Sequence, residues 1–256
     1  MEEKLVRYGL ILVFAFIATL VDAGIGMGYG VSLTSFLLSI GIGTAVASAS
    51  VHIAEVFTTL FSGLSHYKMG NFDRKVFVFL AIPGVFGGFL GALSAVKFED
   101  AFFIRPAIAT LLLLLGVLIV VKFLQKKDYL YQEYDRPRVR HLVPLGFVAS
   151  FLDAIGGGGW GPITTPTLIL RNADPKHSIG SVNFAEFFVA FTISITFLLT
   201  LPSIELTIVI PMIIGGIIAA PLGAWLTKRV SYKTAGIAVG CIVILLSLRT
   251  ILSTIL

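Results

Sequence analysis

Charged side chains are scarce in this chain, and their scarcity argues against an ordinary soluble domain. Asp, Glu, Lys and Arg make up only 13% of the 256 residues, whereas 57% are hydrophobic. A soluble domain of this length needs a larger polar surface than these charged residues provide. The composition therefore indicates a polytopic membrane protein, and no polar stretch is long enough to form a second, soluble domain.

Cysteine is almost missing, and so are the motifs of several enzyme classes. The single Cys241 excludes an intrachain disulfide and any metal site built from several cysteines. The sequence has no HExxH, GxSxG or GxxxxGK(S/T) motif, so it lacks the signatures of zinc proteases, esterases and P-loop ATPases. We expect no enzymatic activity, no metal site and no cofactor. We also consider a proton as the coupling ion.

Glycine, in contrast, is placed informatively, because two glycine-rich polar segments interrupt the hydrophobic sequence. We call residues 21–30 the first cassette and residues 152–161 the second cassette. An offset of 131 residues superposes Asp22 on Asp153. The same offset superposes four further pairs: Gly26 on Gly157, Gly28 on Gly159, Tyr29 on Trp160 and Gly30 on Gly161. Two glycine-broken segments at equivalent positions are typical of duplicated transporters whose substrate site lies near the membrane midplane.

The offset continues into an apolar run that follows each cassette. It superposes Ser50-Val51-His52-Ile53-Ala54-Glu55 on Ser181-Val182-Asn183-Phe184-Ala185-Glu186. Each half thus has one glutamate deep in a predicted helix, with His52 or Asn183 three residues earlier on the same helical face. A carboxylate at that depth is costly, so we expect each glutamate to face protein or water and to have a partner.

Six apolar runs are long enough to cross about 30 Å of hydrocarbon as helices. They cover residues 44–65, 73–96, 100–124, 176–200, 203–227 and 232–254. The cassettes interrupt two further apolar regions, 5–41 and 141–171, and we predict two short half-helices joined by a loop in each. The predicted fold is all-α and polytopic, with a first repeat over residues 1–124, a linker over 125–140 and a second repeat over 141–256.

Lys and Arg lie between the hydrophobic runs, so the net charge of +5 indicates membrane topology rather than nucleic-acid binding. The linker 125–140 and the loops 66–75 and 227–233 are basic and are expected in the cytoplasm. The counterparts of these two loops, 198–205 and 97–100, have no comparable positive excess. This opposite bias favours an inverted repeat with both termini outside, whereas a parallel repeat of eight full helices is the alternative.

The cassettes also offer a site for an anion. Closely spaced glycines expose successive backbone N–H groups, and the N-terminus of a half-helix adds a positive dipole end. Hydroxyl groups could donate further hydrogen bonds, and Tyr29 and Trp160 could form a wall or gate. The candidate substrate-binding residues are Gly26, Gly28, Tyr29, Gly30, Thr34, Ser50, His52, Gly157, Gly158, Gly159, Trp160, Gly161, Thr164, Thr165, Ser181 and Asn183.

Other glycines are better explained by close helix packing than by a binding site. They lie within two of the long apolar runs and are Gly84, Gly87, Gly88, Gly91, Gly215, Gly216 and Gly223. Small residues of this kind allow helices to pack within one chain or between two copies, so a homo-oligomer is compatible with the sequence.

The four acidic residues in the duplicated segments allow two interpretations. Asp22 and Asp153 either cap the helix after each cassette or bind a cation or proton. Glu55 and Glu186 either accept hydrogen bonds from the neighbouring broken segment or act as protonatable coupling sites, with His52 contributing in one half only. The same four carboxylates define the alternative function, a cation-dependent carrier or channel.

The duplicated motifs resemble those of the TauE/SafE-type sulfite exporter family, also called TSUP or DUF81. The likeness rests on DAGIGMGYG in the first half, DAIGGGGWGP in the second, and the SxxxAE that follows each, and it covers nearly the whole chain. The first copy departs from the second because it lacks four consecutive glycines and a counterpart of Pro162. It also has His52 where the second copy has Asn183, so the two halves are not expected to be functionally equivalent.

The resemblance implies a multi-pass carrier in the cytoplasmic membrane of a bacterium or archaeon. Its substrates would be small sulfur-containing anions such as sulfite, thiosulfate, sulfoacetate or similar sulfonates. Members of the family are regarded as secondary carriers with suspected proton coupling. We therefore expect an anion exporter that works by alternating access, with the lipid bilayer as its surroundings and no nucleic-acid partner.

Overall fold

The structure, a computed structural model, describes residues 2–39, 42, 44–97, 104–125, 137–201, 204, 206–227, 229 and 232–255. All regular secondary structure in these residues is helical, so the predicted all-α fold is confirmed. The helices are α1 (Glu2–Ile25), α2 (Tyr29–Ser39), α3 (Thr44–Lys68), α4 (Arg74–Lys97), α5 (Ile104–Gln125), α6 (Val139–Gly156), α7 (Trp160–Leu170), α8 (Pro175–Thr200), α9 (Leu206–Thr227) and α10 (Tyr232–Ile255).

The six long helices predicted from apolar runs are all present as α3, α4, α5, α8, α9 and α10. The cassettes break the chain between α1 and α2 and between α6 and α7, also as predicted. The helices before and after each cassette differ in length, however. The helices after the cassettes, α2 and α7, have 11 residues each, which is about 17 Å at 1.5 Å per residue.

The expectation of short half-helices on both sides of each cassette is therefore wrong for the N-terminal flanks. Helix α1 has 24 residues and α6 has 18, so α1 is as long as a complete transmembrane helix. The reason is visible in the sequence, because no proline and only the isolated Gly9 and Gly24 interrupt helix-compatible residues from Glu2 to Ile25. A charged N-terminal segment does not stop a helix that can extend beyond the apolar core.

Helices of one half pack mainly against helices of the other half. Helix α1 packs along α9, and its counterpart α6 packs along α4. Helices α3 and α8 pack against each other, and α5 packs against its counterpart α10. The packing is thus preserved when the two halves are exchanged, which is expected of a duplicated chain. The inverted orientation of the two repeats remains a prediction.

Small residues permit the close approach of these helix pairs, which confirms their predicted packing role. A Cβ atom on Gly91 of α4 would lie 2.5 Å from the carbonyl oxygen of Phe151 in α6. A Cβ atom on Gly223 of α9 would lie 2.6 Å from the Cβ of Ala23 in α1. The other predicted packing glycines also face neighbouring helices, namely Gly84, Gly87, Gly88, Gly215 and Gly216.

The distribution of polar and apolar side chains is that of a membrane protein. Five helical segments among the described residues are long and apolar enough to span a bilayer: Val6–Ile25, Arg74–Lys97, Val139–Gly156, Pro175–Thr200 and Leu206–Thr227. Large apolar side chains such as Leu10, Phe86 and Leu199 are exposed on their outer faces, whereas carboxylates, hydroxyls and a histidine are buried in the centre. Most of the linker 125–140 lies outside the described residues.

Candidate transport site

Each cassette ends the helix that precedes it through the same local geometry. Gly26 and Gly157 adopt left-handed φ angles of 78° and 72°, which glycine accommodates without strain. Their N–H groups donate to the carbonyl oxygens of Asp22 and Asp153, at 2.6 and 2.8 Å respectively. The chain therefore leaves helical geometry at equivalent positions in the two halves.

The two aspartates hold the start of the short helices. The carboxylate of Asp22 accepts a hydrogen bond from the backbone N–H of Tyr29 at 3.3 Å. The carboxylate of Asp153 accepts one from the backbone N–H of Gly159 at 2.5 Å. Both contacts satisfy donors that a helix N-terminus leaves without an intrahelical partner. The geometry thus supports the capping interpretation of both residues.

The cassettes touch each other directly through their backbones. A Cβ atom on Gly30 would lie 2.6 Å from the Cα of Gly158 and 3.0 Å from Oε1 of Glu55. Gly158 has a φ angle of 148°, and a Cβ atom there would clash with the backbone of Gly30 and Val31. Side chains larger than hydrogen are therefore excluded at this junction, which places the two halves in contact at the centre of the protein.

Two threonines join the cassettes reciprocally. Thr34 Oγ1 of α2 donates to the carbonyl oxygen of Gly157 at 2.5 Å. Thr165 Oγ1 of α7 donates to the carbonyl oxygen of Gly26 at 2.7 Å. These pairs are equivalent under the 131-residue offset, so each half satisfies the broken helix of the other. The carbonyl groups need such partners because the left-handed glycines have removed them from the regular helical ladder.

Two further residues that we predicted as substrate ligands, Thr164 and Trp160, have hydrogen-bond partners within the protein, whereas the buried Tyr29 hydroxyl has none among the described residues. Thr164 Oγ1 donates to the carbonyl oxygen of Trp160 in its own helix at 2.7 Å. The indole Nε1 of Trp160 donates to the carbonyl oxygen of Val182 in α8 at 3.2 Å. Trp160 and Tyr29 are both buried, so they line the core beside the cassettes.

His52 connects the two halves through the carboxylate of Asp153. Its Nε2 lies 3.3 Å from Asp153 Oδ2 and 4.0 Å from Glu55 Oε2. Its Nδ1 lies 2.8 Å from the carbonyl oxygen of Ser48, one helical turn earlier. All three titratable side chains are buried, and Glu55 Oε2 has no hydrogen-bond partner among the described residues. The three could together hold a metal ion, a site that the sequence did not predict.

Glu186 completes a central set of four carboxylates. It is buried on α8 and interacts electrostatically with Asp22, Glu55 and Asp153. Asn183, three residues earlier, accepts a hydrogen bond from Ser62 Oγ at 2.8 Å and donates one to the carbonyl oxygen of Ile179. The second half therefore has an amide with internal partners where the first half has a histidine that faces carboxylates.

The two serines predicted in the site differ in their surroundings. Ser181 Oγ accepts a hydrogen bond from the backbone N–H of Asp73 at 2.8 Å and donates to the carbonyl oxygen of Asp73, so it fixes the turn before α4. The structure therefore places this side chain against the α3–α4 turn. Ser50 Oγ is buried and has no hydrogen-bond partner within the described part of the chain.

The structure also identifies polar residues that sequence reasoning missed. His66 Nε2 contacts the carbonyl oxygen of Ala23 at 2.8 Å, and Thr227 Oγ1 donates to the carbonyl oxygen of Gly24 at 2.8 Å. Both close the C-terminal end of α1. Ser48 could have been found, because its carbonyl lies one turn before His52 on the same face. His66 and Thr227 leave no such signal, since their partners are distant in sequence.

Comparison with known proteins shows to which family the chain belongs. The sequence model of the family described as sulfite exporter TauE/SafE matches residues 11–250. The chain is 43% identical over 252 residues to the probable membrane transporter protein YtnM of Bacillus subtilis (strain 168), with 95% of this chain and 83% of that protein covered. It is 27% identical over 205 residues to the probable membrane transporter protein YdhB of the same organism, covering 79% and 82%.

No solved structure matches the chain. The family match covers both cassettes, both helices that hold the buried glutamates, and the helices around them. The predicted resemblance is therefore confirmed. This chain, with its apolar helices and duplicated glycine-broken segments, belongs to the sulfite exporter TauE/SafE family and is a multi-pass membrane transporter.

Proposed function

We propose that the protein is a secondary transporter that exports small sulfur-containing anions such as sulfite, thiosulfate, sulfoacetate or similar sulfonates. The substrate class follows the description of the family, and the direct contact between the two cassettes is the observation that carries the proposal. This contact brings the two broken helices together at the centre of the protein, and transporters built from such repeats hold their substrate at the interface of the repeats.

Backbone N–H groups supply the chemistry for anion binding. Gly30 and Gly161 lie in the first turn of α2 and α7, where N–H groups have no intrahelical acceptor. Two helix N-termini that converge on one place favour a negative charge without a buried Lys or Arg. Glycine at these positions leaves no side chain between the backbone and an oxyanion once the two cassettes move apart.

The four carboxylates around this place oppose anion binding as long as they are charged, because like charges repel strongly in a medium of low dielectric constant. A proton taken up by Glu55 or Glu186 removes part of that repulsion, so anion and proton would bind together. A dianion accompanied by one proton keeps a net charge of −1. The inside-negative membrane potential then drives the complex outward, by about 2.3 kcal/mol per 100 mV and charge.

Flux measurements with the purified protein in liposomes test the proposal. Vesicles are loaded with sulfite, thiosulfate or sulfoacetate, and efflux is followed with and without a pH gradient and with an imposed membrane potential. We expect efflux of at least one of these anions that responds to both gradients. Absence of flux for all of them would refute the substrate class.

The coupling claim needs a separate comparison. Glu55→Gln and Glu186→Gln are expected to retain exchange of labelled anion at equal concentrations on both sides, while net flux loses its response to the pH gradient. Flux of the unaltered protein that ignores the pH gradient would refute proton coupling and leave a uniporter.

A cation-dependent carrier is the second candidate function, and the four clustered carboxylates favour it. Flux that requires Na⁺ rather than a proton gradient would support this candidate. Sodium-dependent thermal stabilisation of the purified protein would support it independently.

A further inference from the structure

The centre of the protein has more negative than positive groups. Four buried carboxylates converge there, and His52 is the only basic group that pairs with any of them among the described residues. Buried charges are retained only when a counter-charge or hydrogen bonds compensate them. Backbone N–H groups at the starts of α2 and α7 donate a hydrogen bond to one carboxylate oxygen of Asp22 and to one of Asp153. The unpartnered Oε2 of Glu55 still requires compensation.

The hydrogen bond of His52 determines which ring nitrogen is available as a ligand. The carbonyl oxygen of Ser48 can only accept, so the contact at 2.8 Å requires the proton on Nδ1. In the neutral ring, Nε2 then presents its lone pair to Asp153 Oδ2 at 3.3 Å and to Glu55 Oε2 at 4.0 Å. Three acceptor atoms that face one another need a positive charge between them, which either a proton on Nε2 or a metal ion supplies.

The surroundings of these three atoms are those of a metal site. Histidine ligands almost always donate the other ring N–H to a carbonyl or carboxylate, as His52 does to Ser48. Ligating carboxylates are themselves hydrogen-bonded, and Asp153 accepts from Gly159 through its second oxygen. Glu55 is the ligand that retains freedom to move, because its Oε2 has no partner within the described residues.

The separations suit a small ion. All three ligand atoms lie within 4.8 Å of one another. When each ligand lies about 2.0 Å from a tetrahedral ion, the ligand atoms are about 3.3 Å apart. The distance between His52 and Asp153 already has this value, so Glu55 has to move inward. One nitrogen and two carboxylate oxygens fit a divalent transition-metal ion better than Na⁺, which prefers ligation by oxygen alone.

We propose that His52 Nε2, Glu55 Oε2 and Asp153 Oδ2 bind one divalent transition-metal ion of the zinc class. The ion would tie α3 of the first half to α6 of the second and leave a fourth coordination position open. The second half cannot form an equivalent site, because Asn183 stands in place of His52 and both ends of its amide have internal partners. The described residues therefore offer one such site rather than two.

Zinc binding to the purified full chain tests this proposal without any transport measurement. The protein is stripped with a chelator, titrated with Zn²⁺ in competition with a chromophoric chelator, and analysed for bound metal per chain. We expect one tightly bound Zn²⁺ per chain. The substitutions His52→Asn and Glu55→Gln are each expected to weaken binding by at least about tenfold, since they remove a ligand directly.

A matched control uses a histidine–carboxylate pair on the surface. His177 lies on the surface with Nδ1 2.6 Å from Asp174 Oδ2, so it offers an adventitious metal site. The substitution His177→Asn is expected to leave the tight zinc binding unchanged. His52→Asn copies the residue that the fold already accepts at position 183, and Glu55→Gln removes an oxygen without a described partner, so at least one variant is expected to fold.

Two results would overturn the proposal. The first is a stripped protein that binds no zinc, which would mean that protons alone compensate the cluster. The second is zinc binding that disappears in His177→Asn and persists in His52→Asn and Glu55→Gln. Neither result bears on anion flux, and a protein that transports no sulfur anion could still bind the ion. Failure of this proposal and failure of the proposed function are therefore distinguishable.

Discussion

At the scale of single residues, two threonines hold the broken helices together across the halves. Thr34 and Thr165 are equivalent positions, and each donates to a cassette carbonyl of the opposite half. A buried carbonyl outside the helical ladder costs free energy unless a donor reaches it, and no water is present in hydrocarbon to replace that donor. The pair therefore links local backbone geometry to the association of the two repeats.

Removing either hydroxyl is expected to destabilise the protein. Thr34→Val or Thr165→Val leaves a buried carbonyl of Gly157 or Gly26 without its donor, which costs about 1–3 kcal/mol. The two losses are expected to be similar because the contacts are equivalent. Thermal unfolding of the detergent-solubilised protein measures the change, with Thr34→Ser and Thr165→Ser as controls that keep the hydroxyl. Valine variants as stable as the serine variants would contradict the role.

At the scale of helices, the C-terminal end of α1 depends on side chains from two other helices. The carbonyl oxygens of Ala23 and Gly24 lose their usual partners where the first cassette breaks the helix. His66 of α3 contacts the first carbonyl, and Thr227 of α9 donates to the second. Irregular backbone inside a membrane protein is tolerated when neighbouring helices satisfy it in this way.

The closure of α1 by Thr227 can be tested against a threonine that bonds only its own helix. Thr227→Val removes the donor to Gly24 and is expected to cost about 1–3 kcal/mol, whereas Thr227→Ser retains it. Thr192 donates to the carbonyl oxygen of Phe188 within α8 and is only half-buried, so Thr192→Val is the matched control with little expected effect. Equal unfolding temperatures for Thr227→Val and Thr192→Val would show that the end of α1 needs no partner from α9.

Helix positions could be predicted from the sequence because apolar length and glycine placement determine them locally. The length of α1 was predicted wrongly because the flank was measured by its apolar residues alone, whereas the helix also includes the charged residues that precede Leu5. Contacts between the two halves could not be predicted from the sequence either. His52 and Asp153 are 101 residues apart, and they meet only because of how α3 packs near α6. Ser181 matched the repeat pattern, yet the turn after α3 directs it to Asp73 instead of the centre.

At the scale of the whole molecule, the two halves are interwoven rather than placed side by side. The first helix of each half packs on the fourth helix of the other, and the long helices with the buried glutamates pack together in the middle. Movement of one repeat against the other must therefore change the surroundings of the cassettes and of all four carboxylates together. In the proposed transport cycle, this arrangement would couple binding at the centre to the orientation of the helices.

The orientation of the repeats leads to a prediction about two equivalent positions. Lys75 near the start of α4 and Leu206 at the start of α9 differ by the 131-residue offset, and both are exposed. An inverted repeat places them on opposite sides of the membrane, whereas a parallel repeat places them on the same side. The basic loop around Lys75 further predicts that this position faces the cytoplasm.

Cysteine labelling of intact cells distinguishes the two arrangements. The exposed Cys241 is first replaced by serine, and Lys75→Cys or Leu206→Cys is then introduced singly. We expect a membrane-impermeant maleimide to label Cys at position 206 in intact cells, and at position 75 only after permeabilisation. Labelling of both positions, or of neither, in intact cells would support the parallel repeat. In a parallel repeat both halves would enter the membrane from the same side. The two cassettes would then approach the centre from one side and not from opposite sides.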